Sequence, residues 1–262
     1  MQEERSLWLA VAAAKGDQEA RFALADHWER RGDPRGRYLR LCVPKPGESD
    51  LERIHRVTLA RAWWAEHRAE ILGDLAGLGR EPRWEWGLPI PPSELYDGYD
   101  SATSFEELQL WLRSPTLLFL TQLRFGHNRS FSEEEVRAVI SCPYWDRVRV
   151  LVLDDVALSV ESITELLTSN IPFEEVSWNG GCSVDGMSGT EMYWPTLGEA
   201  ALAALCASAG KIRSLSLQAQ ELGDAAVDQL LALPEGMPLR ISWGNHFSEE
   251  GIRRLGERFA IG

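Results

Sequence analysis

The sequence predicts an α/β protein with two regions. Residues 1–80 are expected to form a helical module, and residues 81–262 a short, irregular solenoid of parallel strands with outer helices. Two observations lead to this prediction. The first region shows helical spacing of its apolar residues, with capping residues between the helices. In the second region a strand-like phrase recurs five times, and a helical pattern follows each copy.

The first region is predicted to contain four helices. Asp17 can cap a second helix, in which Leu24 and Trp28 lie one turn apart. Asp33 can cap a third helix, with Pro34 at its first helical position. These residue types satisfy the free backbone N–H groups at a helix start, so each pattern marks a boundary.

The fourth helix of the module is predicted to be the longest. Ser49 and Glu52 have capping-box spacing at its start, and the helical pattern reaches about Leu72. Its large apolar residues recur on one face, which predicts the side that packs inward. These residues are Ile54, Val57, Trp64 and Ile71.

The helical pattern lapses after residue 80. Trp84, Trp86 and Leu88 alternate with other residues before a proline-rich stretch, which predicts a strand. We expect this strand to leave the helical module as the first, irregular repeat of the array. Residues 104–115 then have the pattern of its helix.

The recurring phrase has the apolar spacing L-x-x-L-x-L. It is clearest at Val148, Leu151 and Leu153. The other copies begin at residues 120, 173, 212 and 238. The last copy is weaker because Pro238 occupies its first position. Successive copies lie 28, 25, 39 and 26 residues apart, and three of these distances fall in the range of leucine-rich repeats.

Each strand phrase is followed by a helical pattern, such as the one that opens with a capping box at Ser132 and Glu135. Full helices at a spacing near 28 residues resemble the ribonuclease-inhibitor-like class of leucine-rich repeats. One strand–helix unit cannot bury its own apolar face, so neighbouring units are expected to stack into a continuous core.

The 39-residue distance is explained by an insertion at about residues 179–196. Its glycines are typical of a flexible excursion, whereas Met192, Tyr193 and Trp194 are unusually apolar for a loop. Long loops in compact arrays often carry function, which favours a contribution to a partner site. The alternative is that these side chains fold back over a gap in the core.

Residues 20–42, ARFALADHWERRGDPRGRYLRLC, resemble the bacterial repeat-companion domain. The matching residues are Arg21, Ala25, Asp26, Glu29, Arg31, Gly32, Asp33, Pro34, Leu39 and Leu41. The chain departs from the family pattern at His27-Trp28, where the family has Trp-Leu. The resemblance implies a helical module that precedes a repeat array and has no established enzymatic activity. The motif's charges are expected to form helix-surface ion pairs, and a docking surface is the alternative.

Charge and composition limit the classes of partner that we expect the chain to bind. Residues 1–80 carry a net charge of +1, and residues 81–262 carry −14. Such acidity argues against nucleic acid, because phosphate binding requires Lys and Arg. The chain has no apolar run of about 18 residues, so no membrane span is expected. Four scattered cysteines without a C-x-x-C pair favour reduced thiols and a cytoplasmic location.

The candidate site is the concave face of the predicted sheet. Its side chains are mostly short or polar and mixed in charge, which suits a protein surface better than a small-molecule pocket. A solvated face without a ligand is the alternative. The residues proposed to bind a partner, here and in the insertion, are Arg124, Arg149, Glu175, Trp194, Arg213 and Arg240.

Signals for catalysis are weak. The five histidines form no H-E-x-x-H motif, and neither a P-loop nor a G-x-S-x-G motif is present. Asp154-Asp155 could bind a cation, but a lone acidic pair is usually solvated. We therefore predict no catalytic, metal-binding or cofactor-binding residues.

The sequence thus favours a non-enzymatic protein–protein interaction module that uses the concave face and the insertion. One alternative is a scaffold or assembly component of a larger cytoplasmic complex. The other is an enzyme with an unrecognised site.

Overall fold

A computed structural model gives the fold. It describes residues 2–259 except 15, 80, 92–104, 181, 185–190, 194–197, 209, 219, 221 and 242–244. Within these residues the protein is a mixed α/β structure with ten α-helices and a five-stranded parallel sheet. Two compact units are present: residues 2–91 with 105–119, and residues 120–259. The first unit thus continues past residue 80, where the sequence places its boundary.

Four helices begin the first unit and lie where the sequence predicts them. They are α1 (Gln2–Ala13), α2 (Gln18–Glu29), α3 (Pro34–Cys42) and α4 (Asp50–Leu72), and a 3₁₀ turn (Gly73–Gly77) follows. The predicted caps are confirmed at three of these helices. The carboxylate of Asp17 accepts from the backbone N–H of Glu19 at 2.9 Å, and that of Asp33 from Arg35 at 3.0 Å. Ser49 and Glu52 form the reciprocal capping box of α4.

The predicted inward face of α4 is wrong in its first half. Ile54 is 60% exposed and Val57 is 36% exposed, whereas Arg56 and Ala60 are buried. The guanidinium of Arg56 donates to the Glu48 carboxylate at 2.7 Å and to the backbone oxygen of Leu41 at 2.7 Å. These bonds compensate the loss of hydration of the charge, so Arg56 packs inward and turns the apolar side chains outward.

Residues 83–90 form a hairpin instead of a repeat of the parallel sheet. Strand β1 (Arg83–Glu85) pairs with β2 (Leu88–Ile90) in antiparallel fashion, as a separate two-stranded sheet. The turn residues Trp86 and Gly87 both have positive φ, of 47° and 81°, as a type I′ turn requires. A Cβ at Gly87 would lie 2.7 Å from Cβ of Cys42, so this position also requires glycine for space.

The first unit closes with α5 (Phe105–Leu112) and a 3₁₀ turn (Pro115–Phe119). The backbone N–H of Gly79 donates to the Glu107 carboxylate at 3.0 Å, which ties α5 to the segment after α4. The helix predicted to belong to the first repeat is therefore a component of the first unit.

The second unit is built on five parallel strands in the order β3-β4-β5-β8-β9. In chain order the strands of this unit are β3 (Gln122–Ser130), β4 (Val150–Ala157), β5 (Glu175–Asn179), β6 (Cys182–Val184), β7 (Glu191–Tyr193), β8 (Ser214–Gln218) and β9 (Leu239–Ile241). The helices are α6 (Glu133–Ser141), α7 (Val160–Thr168), α8 (Gly198–Ala207), α9 (Val227–Leu231) and α10 (Glu249–Gly256). Each helix contacts the next one in the series.

The buried positions of the strand phrase recur across the sheet. The register aligns Leu123, Leu151, Val176, Leu215 and Leu239 at its fourth position. It aligns Phe125, Leu153, Trp178, Leu217 and Ile241 at its sixth position. All ten side chains are at most 5% exposed. The spacing of the first four copies is therefore confirmed at these two positions.

The fifth copy is shifted by two residues from its predicted register. The buried Leu239 and Ile241 occupy the fourth and sixth positions, for which the sequence predicts Ile241 and Trp243, and Pro238 is exposed. Trp243 lies outside the described residues. The backbone N–H of Leu215 donates to the Pro238 oxygen at 3.0 Å. A shift of two residues keeps the same side chains facing inward, so hydropathy alternation could not detect it. The fourth positions are consequently 28, 25, 39 and 24 residues apart.

The predicted insertion contains the two strands β6 and β7, which pair with each other in antiparallel fashion. They form a two-stranded sheet separate from the parallel one. Trp194 and the side chains of Met192 and Tyr193 lie outside what the structure describes.

The predicted capping box of helix α6 is confirmed. Ser132 Oγ accepts from the Glu135 N–H at 3.2 Å, and the Glu135 carboxylate accepts from the Ser132 N–H at 2.8 Å.

Ser132→Ala is expected to lower the free energy of unfolding by about 1 kcal/mol, because a helix-start N–H loses its acceptor. Urea unfolding would measure the change. Ser141→Ala, at the exposed end of α6, is the control and should have little effect. Equal losses in the two variants would contradict the prediction.

Candidate functional site

The open face of the parallel sheet is the face opposite its buried fourth and sixth positions. Side chains alternate along a strand, and the register aligns the alternate residues of neighbouring strands in rows. The middle row consists of Arg124, Val152, Ser177, Ser216 and Arg240. The row before it consists of Gln122, Val150, Glu175 and Ser214, and the row after it of Gly126, Asp154, Asn179 and Gln218.

Asp154 is the most buried charged residue of this face, with 7% exposure. Arg124 Nε donates to Asp154 Oδ2 at 2.7 Å, and Asn179 Nδ2 donates to Asp154 Oδ1. The carboxylate is thus paired with a cation and held by an amide from the next strand. The sequence predicts a solvated acidic pair at Asp154-Asp155, because the partners of Asp154 lie 30 and 25 residues away in the chain.

Arg149 and Arg213 are brought together at the start of their strands by Glu174. Arg149 Nε lies 3.3 Å from Glu174 Oε1, and Arg213 Nη1 lies 3.3 Å from Glu174 Oε2. Arg149 also donates to the backbone oxygen of Asp146 at 2.8 Å. One carboxylate therefore bridges two of the predicted anchors. Glu174, which is not among the predicted partner-binding residues, brings them together.

Arg240 and Glu175 differ from these clusters. Both side chains are exposed, and neither has an ion pair among the residues that the structure describes. Arg240 stands at the opposite end of the middle row from Arg124, roughly 19 Å away, since neighbouring strands lie about 4.8 Å apart. The four predicted arginines therefore form three separate groups. Trp194 lies outside the described residues.

Two of the described thiols, those of Cys42 and Cys206, are poor nucleophiles. Burial raises the pKa of the Cys206 thiol to about 11. Burial also raises the pKa of Cys42, although a hydrogen bond with Tyr38 and the charge of Arg56 act in the opposite direction. A thiolate is the reactive form, so neither side chain is activated at neutral pH.

In the described ranges, no three His, Cys, Asp or Glu side chains converge in a way that could hold a metal ion. Among the same residues, every helix is too short or too polar to cross a bilayer. Comparisons with protein-family models, with curated proteins and with solved structures found no match for this chain.

Proposed function

We propose that the chain is a cytoplasmic, non-enzymatic protein-binding module, and that residues 120–259 form a short leucine-rich-repeat array. Parallel strands followed by helices support this proposal, as do buried positions that recur at distances of 28, 25, 39 and 24 residues. The motif at residues 20–42 supports a repeat-companion role for the first unit, because it forms two capped helices in a helical unit that precedes the parallel strands in the chain.

The proposed binding site rests on the middle row of the open face. It has a guanidinium at each end, and short hydroxyl and valine side chains lie between them. Short side chains leave room for another backbone to approach, and the row is about as long as a six-residue extended segment, at about 3.3 Å per residue. A protein segment fits this geometry better than a compact small molecule does.

Among the side chains that the structure describes on this face, Arg240 and Glu175 are the charges that remain available for a partner. Arg124 is already paired with Asp154, and Glu174 holds both Arg149 and Arg213. Arginine is enriched among the residues that dominate binding energy at protein interfaces. We therefore place the main anchor at Arg240, which would bind a carboxylate of the partner, and a second contact at Glu175, which would bind a cation.

The proposal predicts the loss of a partner from an Arg240→Ala variant. Affinity capture from the native cytoplasm with mass spectrometry would identify candidates, and titration of the purified candidate would measure its dissociation constant. We expect Arg240→Ala to weaken binding by about tenfold, the loss of one arginine anchor. Arg149→Ala with Arg213→Ala should have a smaller effect, since Glu174 already pairs with both side chains.

A matched control is Arg253→Ala in α10. Arg253 is also exposed, but it pairs with Glu250 and Glu257 and lies outside the open face. This variant should retain the partner. If Arg240→Ala captures the same proteins with the same affinity as Arg253→Ala, the open face is not the binding site.

A further inference from the structure

The exposed apolar side chains of the first unit are concentrated in the first half of α4. Six large apolar side chains are exposed in the part of the chain that the structure describes, and four of them lie there. They are Leu51, Ile54, Val57 and Leu59, with exposures of 77%, 60%, 36% and 39%. Single apolar residues are common on protein surfaces, whereas a cluster of this kind marks an interaction site. The first half of α4 is therefore a candidate interface.

A groove of about 810 Å³ runs beside this part of α4. Leu51, His55 and Leu59 line it from α4, at intervals of about one helical turn. Phe22 of α2 and Leu41 of α3 line it as well, and both are half-buried. From Leu51 to Leu59 the groove extends about 12 Å, at 1.5 Å per residue. Because both leucines are exposed, the apolar lining is accessible, and its length fits two turns of a helix.

A largely buried ion pair holds α4 with these leucines directed outward. Arg56 donates to the two carboxylate oxygens of Glu48, at 2.7 and 2.9 Å. The two side chains are only 10% and 8% exposed. Arg56 and Glu48 also line the groove, but their bonds within the protein already satisfy much of their bonding capacity. The groove therefore offers a partner its apolar side chains before its charges.

The groove differs in charge from the chain as a whole. Its lining includes three cationic and two carboxylate side chains, a net charge of +1 with His55 neutral. Arg40, one of these cations, also pairs with Glu29 at 3.2 Å, so the groove is close to neutral. The whole chain carries −13, and two copies of it repel each other. At the groove they can meet without an excess of negative charge.

The groove fits a helix that carries apolar side chains two turns apart, and α4 itself is such a helix. Leu51 and Leu59 lie four residues to either side of His55. When two antiparallel copies of α4 pair about a two-fold axis at His55, Leu51 of each copy meets Leu59 of the other. Such an interface is isologous, because the same surface serves both copies. One contact then covers the exposed leucines of both chains.

We propose that two copies of the chain associate through this groove. The first halves of their α4 helices lie antiparallel, with His55 at the two-fold axis, and Phe22 and Leu41 of each copy border the helix of the other. Only about two turns of helix pair, so the interface is small and the dimer forms reversibly. The surface contains none of the residues of the open face, so this proposal and the proposed protein-binding site can fail separately.

Sedimentation velocity of the full chain, from low micromolar to a few hundred micromolar, tests the proposal. The mean sedimentation coefficient is expected to rise with concentration, as in a monomer–dimer equilibrium. Leu51→Glu should raise the dimer dissociation constant at least about tenfold, because it places a charge in an apolar contact and occurs twice in each dimer. Leu51 is 77% exposed, so the monomer fold should be retained. Ile252→Glu is the matched control, because Ile252 is 50% exposed on α10 and does not line the groove.

A cysteine substitution tests the position of the axis. His55→Cys is expected to give a disulfide-linked dimer under mild oxidation, because a residue on a two-fold axis meets its own copy. Neither the parent chain nor Ile252→Cys should give this product. A monomer at every concentration overturns the proposal, and so does a dimer that survives Leu51→Glu. Cross-linking of His55→Cys no stronger than that of Ile252→Cys overturns it as well.

Discussion

Asp154→Ala is expected to lower the free energy of unfolding of the second unit by about 2–3 kcal/mol. The carboxylate is 7% exposed and accepts from Arg124 on one neighbouring strand and from Asn179 on the other. Its removal takes one acceptor from the guanidinium of Arg124 and one from the amide of Asn179. Breaking a buried pair costs about 3–5 kcal/mol, and we reduce that value because the Arg124 side chain is 30% exposed.

Urea unfolding followed by circular dichroism would measure this loss, and Glu174→Ala is its matched control. Glu174 also bridges two neighbours, Arg149 and Arg213, but these three side chains are 36–78% exposed. Its loss should therefore change stability by at most about 1 kcal/mol. Similar losses of unfolding free energy in the two variants would show that burial does not determine how much the Asp154 cluster stabilises the fold.

Gly36→Ala is expected to destabilise the first unit by about 2 kcal/mol, although Gly36 lies inside helix α3. Alanine is favoured over glycine in a helix by about 1 kcal/mol, so helix propensity alone predicts stabilisation. The added Cβ would lie 2.6 Å from the backbone oxygen of Ala25 and 2.7 Å from the backbone nitrogen of Glu29. Backbone atoms of α2 cannot rotate away, so the two helices would have to separate. Overpacking of this kind costs about 1–3 kcal/mol.

The measurement is again the midpoint of urea unfolding, and Gly210→Ala is the control. A Cβ at Gly210 would meet no atom within 4 Å, so this substitution should leave the midpoint nearly unchanged. A Gly36→Ala variant as stable as the parent protein would show that α2 and α3 can move apart without loss.

The helix boundaries could be predicted because they depend on neighbouring residues. Asp17, Asp33 and Ser132 each accept a hydrogen bond from a backbone N–H two or three residues away. A short side chain at such spacing has few other ways to bond, so the pattern specifies the cap. The strand phrase is local in the same sense, because its apolar spacing spans six residues.

Tertiary contacts decided what local spacing could not. Arg56 faces inward because Glu48 and Leu41 bind its guanidinium, and this reverses the predicted face of α4 in the first half of the helix. The segment around Trp86 and Gly87 turns into a hairpin because β1 pairs with β2, although its alternation would suit any strand.

In the candidate site too, the sequence predicts some features and only the tertiary contacts determine the others. Apolar spacing was sufficient to place Arg124, Glu175 and Arg240 on strands and away from the buried positions. Only the register between strands pairs Arg124 with Asp154 and places Glu174 between Arg149 and Arg213. Which charges remain available depends on pairs that are 25–39 residues apart in the chain, and periodicity within a single strand carries no information about them.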